Sequence, residues 1–237
     1  MKGIILAGGA GTRLHPLTKV TSKQLLPVYN KPMIYYPLQT LLNAGIKDIL
    51  IIIAPERSGD FLNLLGSGKE FGANFVYEVQ EKPEGIAQAL MIGKDFINGE
   101  KCALILGDNI YTDDFSEEIK AHNEGALIFV KNVPDPERFG VVEMDENGKV
   151  LSIEEKPENP KSNWAQTGLY VYDEAACDMA AMLNPSDRGE YEITDLHRLY
   201  LEKGLLKAQS VAGPWFDAGT FESLFEASSF IRSQSQS

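Results

Sequence analysis

Four short apolar runs, each closed by a turn signal, constrain this chain more than any other feature. Lys2-Gly3-Ile4-Ile5-Leu6-Ala7 runs into Gly8-Gly9, and residues 48–54, 75–80 and 102–106 repeat the form. Apolar side chains at consecutive positions mark strands buried on both faces, which helices must cover. Helical spacing fills the gaps, over residues 32–44 with Pro32 in the opening turn, 58–65 and 86–96. Strand alternating with helix predicts a parallel sheet. The right-handed crossover rule then sends the loops after these strands to one edge, where ligands bind in such folds.

Past residue 126 the pattern changes. After a strand over 126–133, Val141-Val142-Glu143-Met144 and Val150-Leu151-Ser152-Ile153 read as a hairpin turning at Asn147-Gly148. Helices over 174–183 and 193–203, a strand over 207–211 and a last helix from Phe221 complete the reading. The fold class expected is α/β, with one mixed, mostly parallel central sheet of about seven strands, helices on both faces and a small antiparallel hairpin region. No interior linker rich in Pro, Ser or Gly marks a boundary, so residues 1–232 are expected to form a single domain. Ser233-Gln234-Ser235-Gln236-Ser237 reads as a disordered tail.

Charge narrows the partners. The 237 residues hold 22 Lys plus Arg against 34 Asp plus Glu, a net charge of −12, which argues against nucleic acid or an anionic membrane. Residues 1–47 nevertheless contain no acidic residue, while Lys2, Arg13, Lys19, Lys23, Lys31 and Lys47 make that segment +6. A small polyanion accounts for such a stretch; so does a solvated face. Cys102 and Cys177 sit in apolar surroundings without metal-ligand spacing, as buried thiols in a reducing compartment do. No signal peptide or membrane span is legible, so the cytoplasm is the expected location. His15, His122 and His197 stand in no nucleophile or metal spacing and are read as structural.

Gly8-Gly9-Ala10-Gly11-Thr12-Arg13 follows the first strand directly. Glycines let backbone N–H groups converge on phosphate oxygens that a Cβ would obstruct, although a tight structural turn uses them equally well. No Gly-Lys-Ser/Thr follows, so this is not a P-loop, and Leu14 stands where the dinucleotide fingerprint needs its last glycine. Arg13, with Lys23 ten residues later, tips the reading toward a di- or triphosphate. Asp108 ends a buried strand, and Asp217 stands in Trp-Phe-Asp-Ala-Gly-Thr. Each is either a helix cap or a metal ligand.

Leu6 to Leu14 and Lys23 to Leu38, followed in order by Leu106-Gly107-Asp108-Asn109, Phe139-Gly140-Val141-Val142-Glu143, Glu154-Glu155-Lys156-Pro157, Glu192-Ile193-Thr194-Asp195 and Trp215-Phe216-Asp217-Ala218-Gly219-Thr220, resemble the sugar-nucleotidyltransferase family. The resemblance implies a Rossmann-like fold and Mg²⁺-dependent transfer of a deoxythymidylyl group from dTTP to glucose 1-phosphate, giving dTDP-glucose and pyrophosphate. Its alternatives are a UTP-using counterpart and a catalytically silent nucleotide-sugar sensor. It implies catalytic roles for Arg13, Lys23, Asp108, Lys156 and Asp217, with Asp108 and Asp217 jointly holding Mg²⁺. It assigns Leu6, Gly8, Gly9, Gly11, Thr12, Arg13, Gln80, Pro83, Gly85 and Asp108 to the nucleotide, where the Gln80 carboxamide matches the edge of thymine. Gly140, Glu155, Lys156 and Arg188 fall to the sugar phosphate, although Arg188 reads equally as a surface arginine. A homo-oligomer is left open. Longer family members continue past the final helix into a segment that helps form a regulatory nucleotide site. Here Phe221 to Ile231 and a polar tail are the last residues, so a dTDP-sugar is expected to inhibit only by competition.

Overall fold

The computed structural model describes residues 1–235. They form two compact units. The first comprises Gly3–Pro83, Ile105–Glu117 and the chain from Gly213 onward; the second comprises Met1–Lys2, Glu84–Leu104 and Glu118–Ala212. The fold is α/β with a mixed sheet, and nine strands enter it where the sequence reading expects about seven.

In the first unit the strand Asp48–Ile53 pairs in parallel with Lys2–Ala7 on one side and Asn74–Val79 on the other. Ile49, Leu50, Ile51, Ile52 and Ile53 are each at most 1% exposed, and burying each side chain is worth roughly 1.5–3 kcal/mol. The helix Tyr35–Asn43 buries Pro37, Leu38 and Leu41. It lies so close that a Cβ on Gly3 would stand 3.0 Å from Leu41 and from Ile46. This helix begins three residues later than expected. Lys31–Pro32 instead pairs with Pro27–Val28 as a short antiparallel ribbon. Met33 and Ile34 donate their amides to the Leu26 and Gln24 carbonyls at 2.9 and 2.8 Å, so those groups are tied to the preceding chain.

A second ribbon was not foreseen: Asn109–Tyr111 pairs antiparallel with Trp215–Asp217. Beneath the ribbons Val28, Met33, Ile110, Ala218 and Ala227 form one core cluster, against which Tyr36, Phe216, Leu224 and Ile231 pack. Thr220 and Ser223 form a capping box that opens the final helix, Phe221–Gln234. That helix includes Ser233 and Gln234, two residues of the expected tail, while positions 236 and 237 lie outside the described residues.

In the second unit the hairpin forms as read, with Gly140–Met144 antiparallel to Val150–Glu155. Asp145 accepts from the Asn147 and Lys149 amides at 2.8 and 2.9 Å, and Gly148 takes φ +79°. The strand the sequence reading missed is the longest, Trp164–Tyr172, which pairs antiparallel with Ala126–Asn132. Leu206–Ser210 pairs with Ala126–Asn132 in parallel. The helix expected over 86–96 breaks at Gly93 into Gln88–Ile92 and Lys94–Ile97. The helix Ile193–Glu202 buries Ile193, Thr194, Leu196, His197 and Tyr200. Cys102 and Cys177 are buried free thiols. No described helix is long and apolar enough to cross a membrane.

Candidate active site

The first unit gathers the phosphate-type residues at the ends of its strands. Gly8 leaves the first strand where a Cβ would run into the Gln80 side-chain oxygen, so the glycine is required by the close approach of Gln80. Gln80 is itself buried, its amide donating to Ile53 at 2.8 Å. Gly11 takes φ +61°, and Thr18 donates to its carbonyl at 2.7 Å, which fixes the loop from below. Gly9 faces open space, while Thr12 and Arg13 are exposed in a one-turn 3-10 helix anchored by buried Leu14. The Leu6 carbonyl accepts from Gly107 at 2.9 Å, placing the Asp108 strand end beside the glycine loop.

Asp108 and Asp217 are brought together by register. Asp217 pairs with Asn109, and the Ala218 amide donates to the Asp108 carbonyl at 3.0 Å. Neither caps a helix: Asp108 leads into a strand, and Thr220 caps the final helix. Lys23 forms an ion pair with Asp108, the two side chains being 11% and 12% exposed. Desolvation works against the Asp108 carboxylate. The Lys23 charge and hydrogen bond, with one from Asn109 at 3.2 Å, outweigh it and hold the carboxyl below its ordinary range. A Cβ on Gly219 would stand 2.8 Å from the Arg13 guanidinium and 3.0 Å from Asp217, so Arg13 lies along the same edge. Among the described residues no three His, Cys, Asp or Glu cluster as a metal cage. Two carboxylates on paired segments still suit Mg²⁺, which takes one or two protein carboxylates and fills its shell with phosphate and water oxygens.

The second unit gathers the residues assigned to the sugar phosphate. Glu155 pairs in register with Gly140. Lys156 follows with φ +42°, a left-handed conformation unfavourable for a side-chain-bearing residue, held by its amide donating to Phe139 at 3.0 Å. Its ammonium lies 3.6 Å from Glu155. Arg188 is held among carboxylates. It binds Glu192 at 2.8 Å and reaches Glu155 at 3.3 Å and Glu190 at 3.5 Å. Burial raises the Glu155 pKa and Glu192 adds to the effect, against the pull of Lys156 and Arg188. Gly85 lies ahead of the helix, which starts at Gln88 rather than at residue 86. It takes φ +106° where a Cβ would collide with the Tyr191 backbone, and the flanking Tyr191 amide donates to Glu84 at 2.7 Å. Pro83 is exposed at the end of the first unit's chain.

Sequence reasoning passed over three positions here. Asn109 donates to Asp108 and accepts from the Trp215 indole at 2.6 Å, coupling the two segments that carry the aspartates. Its signal was its place beside Asp108. Glu192 is the buried anchor of Arg188. Gln166 is a buried carboxamide in the strand Trp164–Tyr172, which the reading did not find.

A glycine loop, two cations and two carboxylates at strand ends are groups whose chemistry suits a phosphate-rich nucleotide. The chain belongs to the nucleotidyl transferase family, whose model matches residues 2–234. A glucose-1-phosphate thymidylyltransferase of Neisseria meningitidis is 56% identical over 98% of this chain and 83% of its own length. One of Xanthomonas campestris is 55% identical over 97% of this chain and 80% of its own. A solved Bacillus anthracis structure holding a sucrose, provisionally assigned the same activity, superposes with a TM-score of 0.93 at 49% identity, covering 98% of this chain and 95% of that one. A UDP-glucose pyrophosphorylase complexed with UDP-glucose superposes at 0.86 with 26% identity over 98% of both chains.

Proposed function

We propose that the protein transfers a deoxythymidylyl group from dTTP to glucose 1-phosphate, releasing pyrophosphate. The observation that carries this reading is the convergence of Asp108, Asp217, Arg13 and Lys23 on the glycine loop of the first unit. The named activity of relatives more than half identical to this chain supports dTTP over UTP, since the uridylyl relative stands at 26%. A silent sensor would need neither the paired carboxylates nor both cations.

A phosphate monoester loses its second proton near pH 6, so glucose 1-phosphate arrives with an ionised nucleophile and the chain need not supply a base. The work left to the protein is positioning and charge compensation. Lys156 and the Gly140 backbone orient the sugar phosphate for in-line attack on the α-phosphorus. Arg13 offsets charge gathering on the departing pyrophosphate, and Lys23 keeps Asp108 ionised. Asp108 and Asp217 would hold Mg²⁺, which would supply positive charge against that of the phosphates. Replacing Asp108 or Asp217 by Asn keeps shape and removes charge, so kcat at saturating Mg²⁺ is expected to fall at least about 100-fold with dTTP still bound. Near-normal turnover in both variants would refute the assignment.

A further inference from the structure

Gln166, in the strand Trp164–Tyr172, is 5% exposed, and neither its Oε1 nor its Nε2 has a hydrogen-bond partner. Buried carboxamides are paired in the large majority of folded proteins, and one unmet at both ends is costly to keep. Its position explains the exception. Ala165 pairs with Val141, setting Gln166 across from Gly140 on the neighbouring strand. A Cβ on Gly140 would run into Gln166 Nε2 and stand 2.8 Å from the methyl of Thr194, so the bare glycine makes room for the carboxamide beside the Gly140 backbone. Glu155 pairs with Gly140 from the other side. Thr194 is fully buried, and its hydroxyl sits by Glu155 without reaching hydrogen-bond geometry.

We infer that Gln166 reads two neighbouring hydroxyls on the pyranose ring of the hexose 1-phosphate, accepting from one through Oε1 and donating to the other through Nε2. The inference rests on the sugar-phosphate reading of this unit. Each hydroxyl is both donor and acceptor, so a carboxamide, with one donor end and one acceptor end at fixed spacing, matches a vicinal pair. A carboxylate at this position could only accept, and an aliphatic side chain could do neither. Gln166 thereby selects among hexose 1-phosphates while standing apart from phosphoryl transfer. A site built to bond a substrate hydroxyl rejects analogues that lack it, because its own buried groups are then left unpaired.

The test compares wild type with Gln166→Leu and Gln166→Glu, using glucose 1-phosphate and its 2-, 3- and 4-deoxy analogues at saturating dTTP. Gln166→Leu is expected to melt at or above the wild-type temperature without ligand, since it removes an unpaired polar group. Its KM for glucose 1-phosphate should rise about 10- to 100-fold with the dTTP KM unchanged. Two adjacent deoxy analogues should be penalised in wild type and lose that penalty in Gln166→Leu, while Gln166→Glu recovers sensitivity to one of them. A melting temperature several degrees lower in Gln166→Leu would make the carboxamide structural and overturn the inference. An unchanged sugar KM and analogue ranking would overturn it equally. Wild-type protein inert toward glucose 1-phosphate would overturn the reaction reading and this inference with it; active wild type beside an unaffected Gln166→Leu overturns the inference alone.

Discussion

Lys23→Met removes one charge from the Lys23–Asp108 pair and nearly preserves its shape. With side chains 11% and 12% exposed, the pair is effectively out of water, and the other side-chain bond to Asp108 runs from Asn109 at 3.2 Å. Breaking a buried pair from one side leaves an uncompensated charge and costs about 3–5 kcal/mol. At this chain length one kcal/mol moves the melting temperature by about 2–4 °C, so a loss of roughly 6–20 °C is expected at pH 7. Lys23 holds the Asp108 carboxyl below its unfolded value of about 3.9, so the pair stabilises above that pH and is lost as the pH falls through the folded value. Without Lys23, desolvation lifts the folded value above the unfolded one, so the deficit is full at neutral pH and closes as the pH falls toward about 4. Lys23→Met/Asp108→Asn removes the stranded charge and should regain most of the melting temperature while remaining inactive. Thermal unfolding at pH 7 and 4.5, paired with pyrophosphate release, checks both halves. A single variant within about 2 °C of wild type at pH 7, or a double variant no more stable than the single, would refute the reasoning.

Two further outcomes follow from the assigned roles. Lys156→Ala should weaken glucose 1-phosphate binding and spare dTTP, and Arg13→Ala should do the reverse; calorimetry of each ligand decides, and equal losses of both ligands in both variants would sink the division. Burial pushes the His197 pKa down to about 3, and its Nε2 lies 2.6 Å from the Tyr172 hydroxyl, so the folded protein resists protonating it. As the pH falls from about 6.5 toward 3 the unfolded state gains a proton the folded state refuses, eroding stability by about 1.4 kcal/mol per unit. Urea unfolding between pH 7 and 4 should show this slope reduced in His197→Gln, and an identical slope would contradict it.

What the sequence disclosed follows from which physical signals are local. The strands Lys2–Ala7, Asp48–Ile53 and Cys102–Leu106 were legible because consecutive apolar residues have few other uses. Trp164–Tyr172 was not, since Gln166-Thr167-Gly168 interrupts the run and reads as a loop. Helix starts failed where hydrogen bonds back to the preceding loop intervene, as at Met33 and Ile34. In the site, the loop from Gly8 to Arg13 announced itself by glycine and charge, and Asp108 by ending a buried strand. Its partner Asp217 did not, because the ribbon that joins them pairs segments remote in sequence, and only the family resemblance coupled the two. At Gly85 the sequence did not show the close passage of the Tyr191 backbone, which a Cβ would obstruct.

The central claim is tested most directly by pyrophosphate release from purified protein with Mg²⁺, across dTTP, UTP, ATP, CTP and GTP, each offered with glucose 1-phosphate and other hexose 1-phosphates. The account predicts the highest kcat/KM for dTTP with glucose 1-phosphate, UTP following within about 10- to 200-fold, since it lacks only a methyl, and no release when the sugar phosphate is omitted. Release that favours UTP, requires a different sugar phosphate or proceeds without one would contradict it.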